Sequence, residues 1–424
     1  MTKEEILNLL KENPEKIDNL IYKAVFEERE LLLILQEILK EFGYRGFSIY
    51  PLYQEFSKNF LGFTVPAINI RGMTYDVAKT VFKVAKKLNV GALIFEIAKS
   101  EMGYTKQSPL EYATVILSAA FKEKFPGPVF LQGDHFQFNR KSYFFDPIRE
   151  KENMKNLIKD AIEAQFYNID IDASTLVELD KDDLDAQQKH NYEATAEMVE
   201  FVRSIEPKDV VINLGGEIGE IGGHNSTPEE LRSFMKGFYK VFKNKIGISK
   251  ISVQTGTSHG GIVLPDGTIA SVNLDFTTLK TLSRIAREEF GLAGAVQHGA
   301  STLPEEYFHL FPESECVEVH LATGFQNFIY DHPALPSEFR ENIYNYLKRI
   351  FKNEWKEGMS EAQFIYKTRK KGFGAFKKDW WDLSKEIKSQ ILSDMEQLFE
   401  KIFKALNVTD TLKLVNSKVS GFSL

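Results

Sequence analysis

Three histidines close three strand-like apolar runs: His135 in 127–136, His259 in 251–261 and His298 in 294–301. One histidine beside an apolar run is more often a hydrogen-bonded core residue than a ligand. Three of the chain's eight in the same context point to one metal ion. Parallel α/β barrels keep their chemistry at the carboxyl ends of the strands. An open site of three imidazoles suits Zn²⁺, with a position left for water or substrate, and other divalent ions remain alternatives. Asp134 immediately precedes His135. Neighbouring strand residues point to opposite sides, so Asp134 is expected off the metal, as a general acid/base toward a substrate or as an acid orienting the histidine. Asp172 and Glu217 end two further runs and read as orienting acids or alternative ligands.

The elements that must position these residues alternate. Apolar runs centred on Val65, Leu93, Val129, Ile169, Val211, Ile251, Ala295 and Val317 read as eight strands. Between most of them lie stretches of helical periodicity. Eight such alternations predict an α/β fold, a (β/α)₈ TIM barrel. Residues 1–60 precede it as a helical extension, with 43–60 aromatic and irregular. Residues 61–335 make the barrel and 336–424 a C-terminal helical extension that covers it or contacts a second subunit, with 372–376 and 379–381 as a turn-rich join. The glycine-rich stretch 215–223 lacks both the P-loop lysine and GxGxxG and reads as a mobile loop over the mouth, with His224, Asn225 and Ser226 near its tip. The turns after His259 and His298 place backbone N–H groups and a hydroxyl where an anion could approach.

A net charge of −7 provides no basic field for nucleic acid. The single cysteine, Cys316, excludes an intrachain disulfide and fits a reducing cytoplasm. No uninterrupted apolar run reaches membrane-spanning length, and the charged N-terminus lacks the apolar core of a signal peptide.

The ordered set 65–69 (VPAIN), 133–135 (GDH), 170–174 (DIDAS), 216–223 (GEIGEIGG), 256–260 (GTSHG) and 298–301 (HGAS) resembles the class II, metal-dependent ketose-bisphosphate aldolases. The resemblance implies a TIM barrel with Zn²⁺ on His135, His259 and His298. It implies that Asp134 moves the proton of the C4 hydroxyl, while the metal holds the C2 and C3 oxygens of the ketose and stabilises an enediolate. Asp172 and Glu217 match acids around the metal. Gly260, Gly299, Ser301 and Thr323 match positions that hold a phosphate, and Asn69 matches a substrate-side asparagine. Lys385 falls near a basic position that contacts phosphate across a dimer, so a homo-oligomer and a sugar or sugar-phosphate substrate are implied.

Departures from the pattern mark the pocket. His320 and the residues up to Thr323 replace the family's Asn-x-Asp-Thr, while Arg71 and Glu96 stand where a smaller residue and Gln are common. The family's loop acid falls near His224 or Asn225, neither a carboxylate. Reversible aldol cleavage of fructose or tagatose 1,6-bisphosphate is the first expectation, and epimerisation of a ketose or keto sugar acid the second. A weaker resemblance to the non-catalytic subunit of tagatose-bisphosphate aldolase implies a third, a partner subunit without activity of its own.

Overall fold

The computed structural model describes residues 1–219, 224–256, 263–266, 268 and 274–419. Eight parallel strands close into a barrel: β1 Val65–Asn69, β2 Ile94–Ala98, β3 Val129–Gln137, β4 Asn168–Asp172, β5 Asn213–Gly219, β6 Lys250–Val253, β7 Ala295–Gln297 and β8 Glu318–Leu321. Closure runs through β1 and β8, where Val65 pairs with Glu318 and Ala67 with His320. The strands are buried on both faces, which is why they read as unbroken apolar runs rather than alternating ones. Helices cover the outside. Thr74–Lys87, for example, buries Val77, Ala78, Val81, Phe82 and Ala85 at helical spacing.

The N-terminal extension plugs the barrel floor. Residues 43–60, expected to be irregular, contain a two-residue strand, Gly46–Phe47, paired with the start of β3, and a helix, Tyr50–Lys58. Pro51 starts that helix, and Leu52, Tyr53 and Phe56 form its buried face. From this helix the Tyr53 hydroxyl reaches up to donate to the Glu318 carboxylate inside the barrel.

Directly above Tyr53 the interior is charged. Lys250, fully buried, donates to Gln132 at 2.8 Å, to Asp170 at 3.0 Å and to Glu318 at 2.5 Å. Gly215 makes this possible: a Cβ there would meet Asp170 Oδ1 at 2.3 Å and Lys250 Cε at 2.9 Å. Gly215 and Gly216 therefore belong to β5 and not to a mouth loop, because the barrel needs a side-chain-free position where the lysine crosses. Residues 220–223 of the glycine-rich stretch lie outside the described residues.

The C-terminal extension wraps from the mouth to the flank. Its segment 372–381 is not turn-rich but forms two short helices, Gly372–Ala375 and Lys377–Trp381. Trp380 is buried there against Tyr330, Phe339 and Phe373. The long helix Lys385–Ala405 lies against Thr74–Lys87, joined by Lys83 to Glu396 and Lys87 to Glu400. Among the described residues, no helix is long and apolar enough to cross a membrane.

Replacing Lys250 by Met leaves Asp170 buried without its nearest cation and Glu318 with His320 alone. Unfolding in urea should show a loss of about 3–5 kcal/mol, the usual cost of breaking a buried ion pair from one side. A loss below about 1 kcal/mol would mean that the two acids are neutralised in some other way.

Candidate metal centre and active site

β3 delivers two of the reactive groups through a bulge. Gly133 pairs with Ile169 but Phe136 with Ile171, so β3 carries one extra residue here, and His135 takes a positive φ of 40°. Gly133 permits the fold-back, since a Cβ would meet the Phe136 ring at 2.5 Å. A bulge interrupts the alternation of sides and re-aims side chains. Asp134 and His135 consequently do not point apart as a regular strand requires. Asp134 Oδ1 lies 3.9 Å from His135 Nε2 and 3.9 Å from His298 Nδ1.

Around this pair the strand ends converge. The rings of His135 and His298 are 4.2 Å apart between centroids, and those of His298 and His320 are 4.1 Å apart. His135 Nδ1 faces Asp172 Oδ2 at 3.0 Å and Glu217 Oε2 at 3.2 Å. Asp172 also accepts from Gln137 at 2.6 Å and from the Ser174 hydroxyl at 2.7 Å. His298 Nε2 meets the Ser252 hydroxyl at 3.0 Å. His259 and Gly260 lie outside the described residues.

His135, Glu217 and His298 offer donor atoms that all lie within 4.8 Å of one another. Two imidazoles and a carboxylate, backed by Asp172, fit a divalent ion of borderline hardness such as Zn²⁺. Asp134, His298 and His320 meet the same spacing, but His320 is committed elsewhere. Its Nδ1 faces Glu96 at 3.0 Å and Asp134 at 3.2 Å, and its Nε2 faces Glu318 at 2.6 Å. An imidazole donating from both nitrogens has no lone pair for a metal.

The electrostatics follow from these contacts. Burial alone would lower the pKa of His320, yet Glu96 and Asp134 raise it well above the usual histidine range. His135 is raised in the same way, burial being outweighed by Asp134, Glu217 and Asp172. Burial, together with nearby Asp172, pushes Glu217 up to about 7. Glu96 is raised by burial and by Asp134. Among the described residues of the upper barrel, Glu96, Asp134, Asp172 and Glu217 crowd together, and such a cluster of carboxylates is the charge environment a dication relieves.

Below this layer lie residues that sequence reading missed: Lys250, Glu318 and Gln132 with its side chain between them. Their signal was present as spacing. Glu318 and His320, Gln132 and Asp134, and Asp170 and Asp172 are pairs two residues apart on strands that otherwise read as apolar, so each strand turns one polar edge inward. Ser252 and Glu101 carried no comparable signal. Glu101 accepts from Asn69 at 2.5 Å and from Arg71 at 2.8 Å.

The site opens into a cavity of about 1010 Å³. Asn69, Arg71, Glu96, Asp134, His135, His298, Gly299, Ser301, His320 and Thr323 all line it. Arg71 also donates to Thr323 at 3.2 Å and to Gln326 at 2.8 Å, and Ser301 Oγ accepts from Gly324 N at 3.0 Å. Lys385 is not in the lining. It sits exposed at the start of its helix, behind the Ser384 cap. The outer wall comes instead from Tyr366, Lys367, Lys370 and Lys371 of the C-terminal extension.

Comparison with known proteins follows the same line. No curated protein sequence matches the chain. In structure it is similar to the YdjI aldolase from Escherichia coli, at 12% identity and a TM-score of 0.52 over 86% of this chain and 99% of that one. A probable tagatose 6 phosphate kinase from Sinorhizobium meliloti gives 14% identity and a TM-score of 0.56 over 84% and 98%. The fructuronate-tagaturonate epimerase UxaE from Cohnella laeviribosi gives 13% and 0.57 over 91% and 86%. At these identities the likenesses show the barrel fold, which hosts many chemistries. The family model described as "Fructose-bisphosphate aldolase class-II" matches residues 57–375, from the floor helix through the barrel to the helices that wall the mouth. By that match the chain belongs to the class II fructose-bisphosphate aldolase family.

Proposed function

We propose that the chain is a zinc-dependent carbon–carbon lyase that cleaves a ketose bisphosphate, of the fructose or tagatose 1,6-bisphosphate kind, reversibly between C3 and C4. The observation that carries this reading is the convergence of donor atoms from His135, Glu217 and His298, with His135, His298 and Asp134 lining one cavity. These three residues would hold the ion, which when bound supplies Lewis-acid polarisation of the ketose carbonyl and neighbouring hydroxyl oxygens. Asp134 takes the proton of the C4 hydroxyl as the C3–C4 bond breaks and returns it in the reverse direction. His320 keeps that carboxylate aimed into the cavity through its 3.2 Å contact. Asn69, Gly299, Ser301 and Thr323 bind and orient the sugar from the cavity wall.

A second reading is epimerisation, which needs a cleaved fragment to be held, turned and rejoined on its other face; Tyr366 and Lys370 of the C-terminal extension add the wall against which it would be held. The two outcomes share metal, base and substrate class and differ in what is released.

Chelation followed by dialysis should abolish turnover, and Zn²⁺ should restore it; full activity in chelator, with metal content verified as negligible, would sink the metal reading. Asp134→Asn should lower kcat by about 10²–10⁴-fold, the usual contribution of a positioned acid/base, with metal content unchanged. Turnover as in the wild type would remove Asp134 from the chemistry. ¹³C NMR of candidate ketoses incubated with the enzyme separates the outcomes: three-carbon products mean cleavage, a six-carbon isomer means epimerisation. A chain inert toward all of them and free of metal after purification would instead be a partner subunit.

A further inference from the structure

The C-terminal extension is fastened to the cavity rim at two points where nothing larger than hydrogen fits. A Cβ on Gly72 would meet the Phe373 ring at 1.9 Å, and one on Gly374 would meet the Tyr104 carbonyl oxygen at 2.0 Å. Lys370 leaves the chain just before these contacts and lies over the Tyr104 ring, 5.4 Å from its centroid. There it shares the cavity wall with Arg71 and Lys367.

Arg71 and Lys370 face the same space, and among the described residues only Arg71 is ion-paired. Arg71 is held by Glu101 at 2.8 Å, and Glu101 is further occupied by Asn69. Lys370 forms neither an ion pair nor a hydrogen bond among the described residues. Burial and the neighbouring Arg71 push its ammonium below the usual lysine range. Lys371, the next residue, is neutralised by Glu354, so the surplus positive charge at the rim is carried by Lys370 and the more exposed Lys367. The two acids nearest Lys370, Glu101 and Glu354, are already taken by Arg71 and Lys371, and a half-buried ammonium left without an acid of its own is stabilised when an anion enters.

We infer that Lys370 of the C-terminal extension, together with Arg71, is the site that holds the substrate's oxyanion, a phosphate ester or a carboxylate. The inference rests on the lyase reading above for the location of the reacting sugar. It makes the extension a part of the active site within a single subunit. Thr323 and Ser301 stand on the same wall, with Arg71 bonded to Thr323, so the anion would be met by a guanidinium, an ammonium and hydroxyls together.

Titration calorimetry on the metal-loaded protein, with inorganic phosphate and with glycolate in separate runs, tests this. The wild type should bind at least one of them. Lys370→Met, which keeps the apolar stem, should weaken that binding by about tenfold or more, as loss of a charge-assisted hydrogen bond requires. Lys370→Arg should restore it. Tighter phosphate binding assigns a sugar phosphate, and tighter glycolate binding a sugar acid. Equal affinity in wild type and Lys370→Met, or no binding of either anion by the wild type, overturns the assignment. Asp134→Asn keeps the two readings apart. If it binds the anion and is inactive, both stand; if it remains active, the lyase reading falls while the Lys370 comparison still decides the oxyanion site.

Discussion

Acids buried inside a closed barrel have to be neutralised, and the rest of this structure follows from how that is done. Six carboxylates, those of Glu96, Asp134, Asp170, Asp172, Glu217 and Glu318, are buried in or at the top of the barrel. Isolated, each would be protonated or would destabilise the fold. The chain answers in tiers. Lys250 sits among Asp170 and Glu318 at the base, His320 among Glu318, Glu96 and Asp134 in the middle, and His135 among Asp134, Asp172 and Glu217 at the top. At the base Lys250 and His320 hold Glu318 well below the usual carboxylate range against the effect of burial, although burial still pushes Asp170 up to about 6. At the top burial leaves Glu217 raised to about 7 where its carboxylate converges with His135 and His298, and that convergence of donor atoms is what suits the mouth to a cation.

His320 links the two levels. It stands where the family pattern has a substrate-holding asparagine, yet both of its nitrogens are spent on carboxylates. Its effect is to fix Asp134, and neither nitrogen is left to serve a metal. The substitution of an imidazole for an amide thus changes the cavity in charge as well as in shape. Glu96 in place of Gln belongs to the same exchange, since it supplies the acid that the extra imidazole faces. Arg71 and Lys370 extend the pattern outward, so the cavity runs from an acid-rich floor to a cationic rim.

Much of this was legible before any coordinates. The eight apolar runs each fall on or within two residues of an observed strand, because strands covered on both faces leave continuous apolar sequence. The meeting of His135 and His298 followed from their shared context at strand ends. The joint presentation of Asp134 and His135 did not, because the rule of alternating sides assumes regular pairing and β3 bulges between Gly133 and Phe136. Gly215 read as loop because glycine in a run of glycines carries no trace of the lysine it makes room for. Residues 372–381 misled for a related reason: Gly372 and Gly374 look like turn residues, but they are positions of close approach in short helices, Gly374 against the backbone of Tyr104. Lys370 and the helix Tyr50–Lys58 depend on contacts between the ends of the chain and the barrel, which local pattern does not encode.

The hydrogen bond from Tyr53 to Glu318 has a consequence for how the molecule comes together. It joins the element that leaves the ribosome early to the strand that closes the barrel last, across 265 residues of sequence. Lys250 meets Gln132 and Asp170 from strands that precede it and gains Glu318 only when β8 joins. A barrel short of its eighth strand therefore leaves that lysine with one of its two acids and Tyr53 without its acceptor. Contacts this distant in sequence raise the contact order, which slows folding, so the polar column that equips the mouth for chemistry also ties barrel closure to the arrival of the last strand.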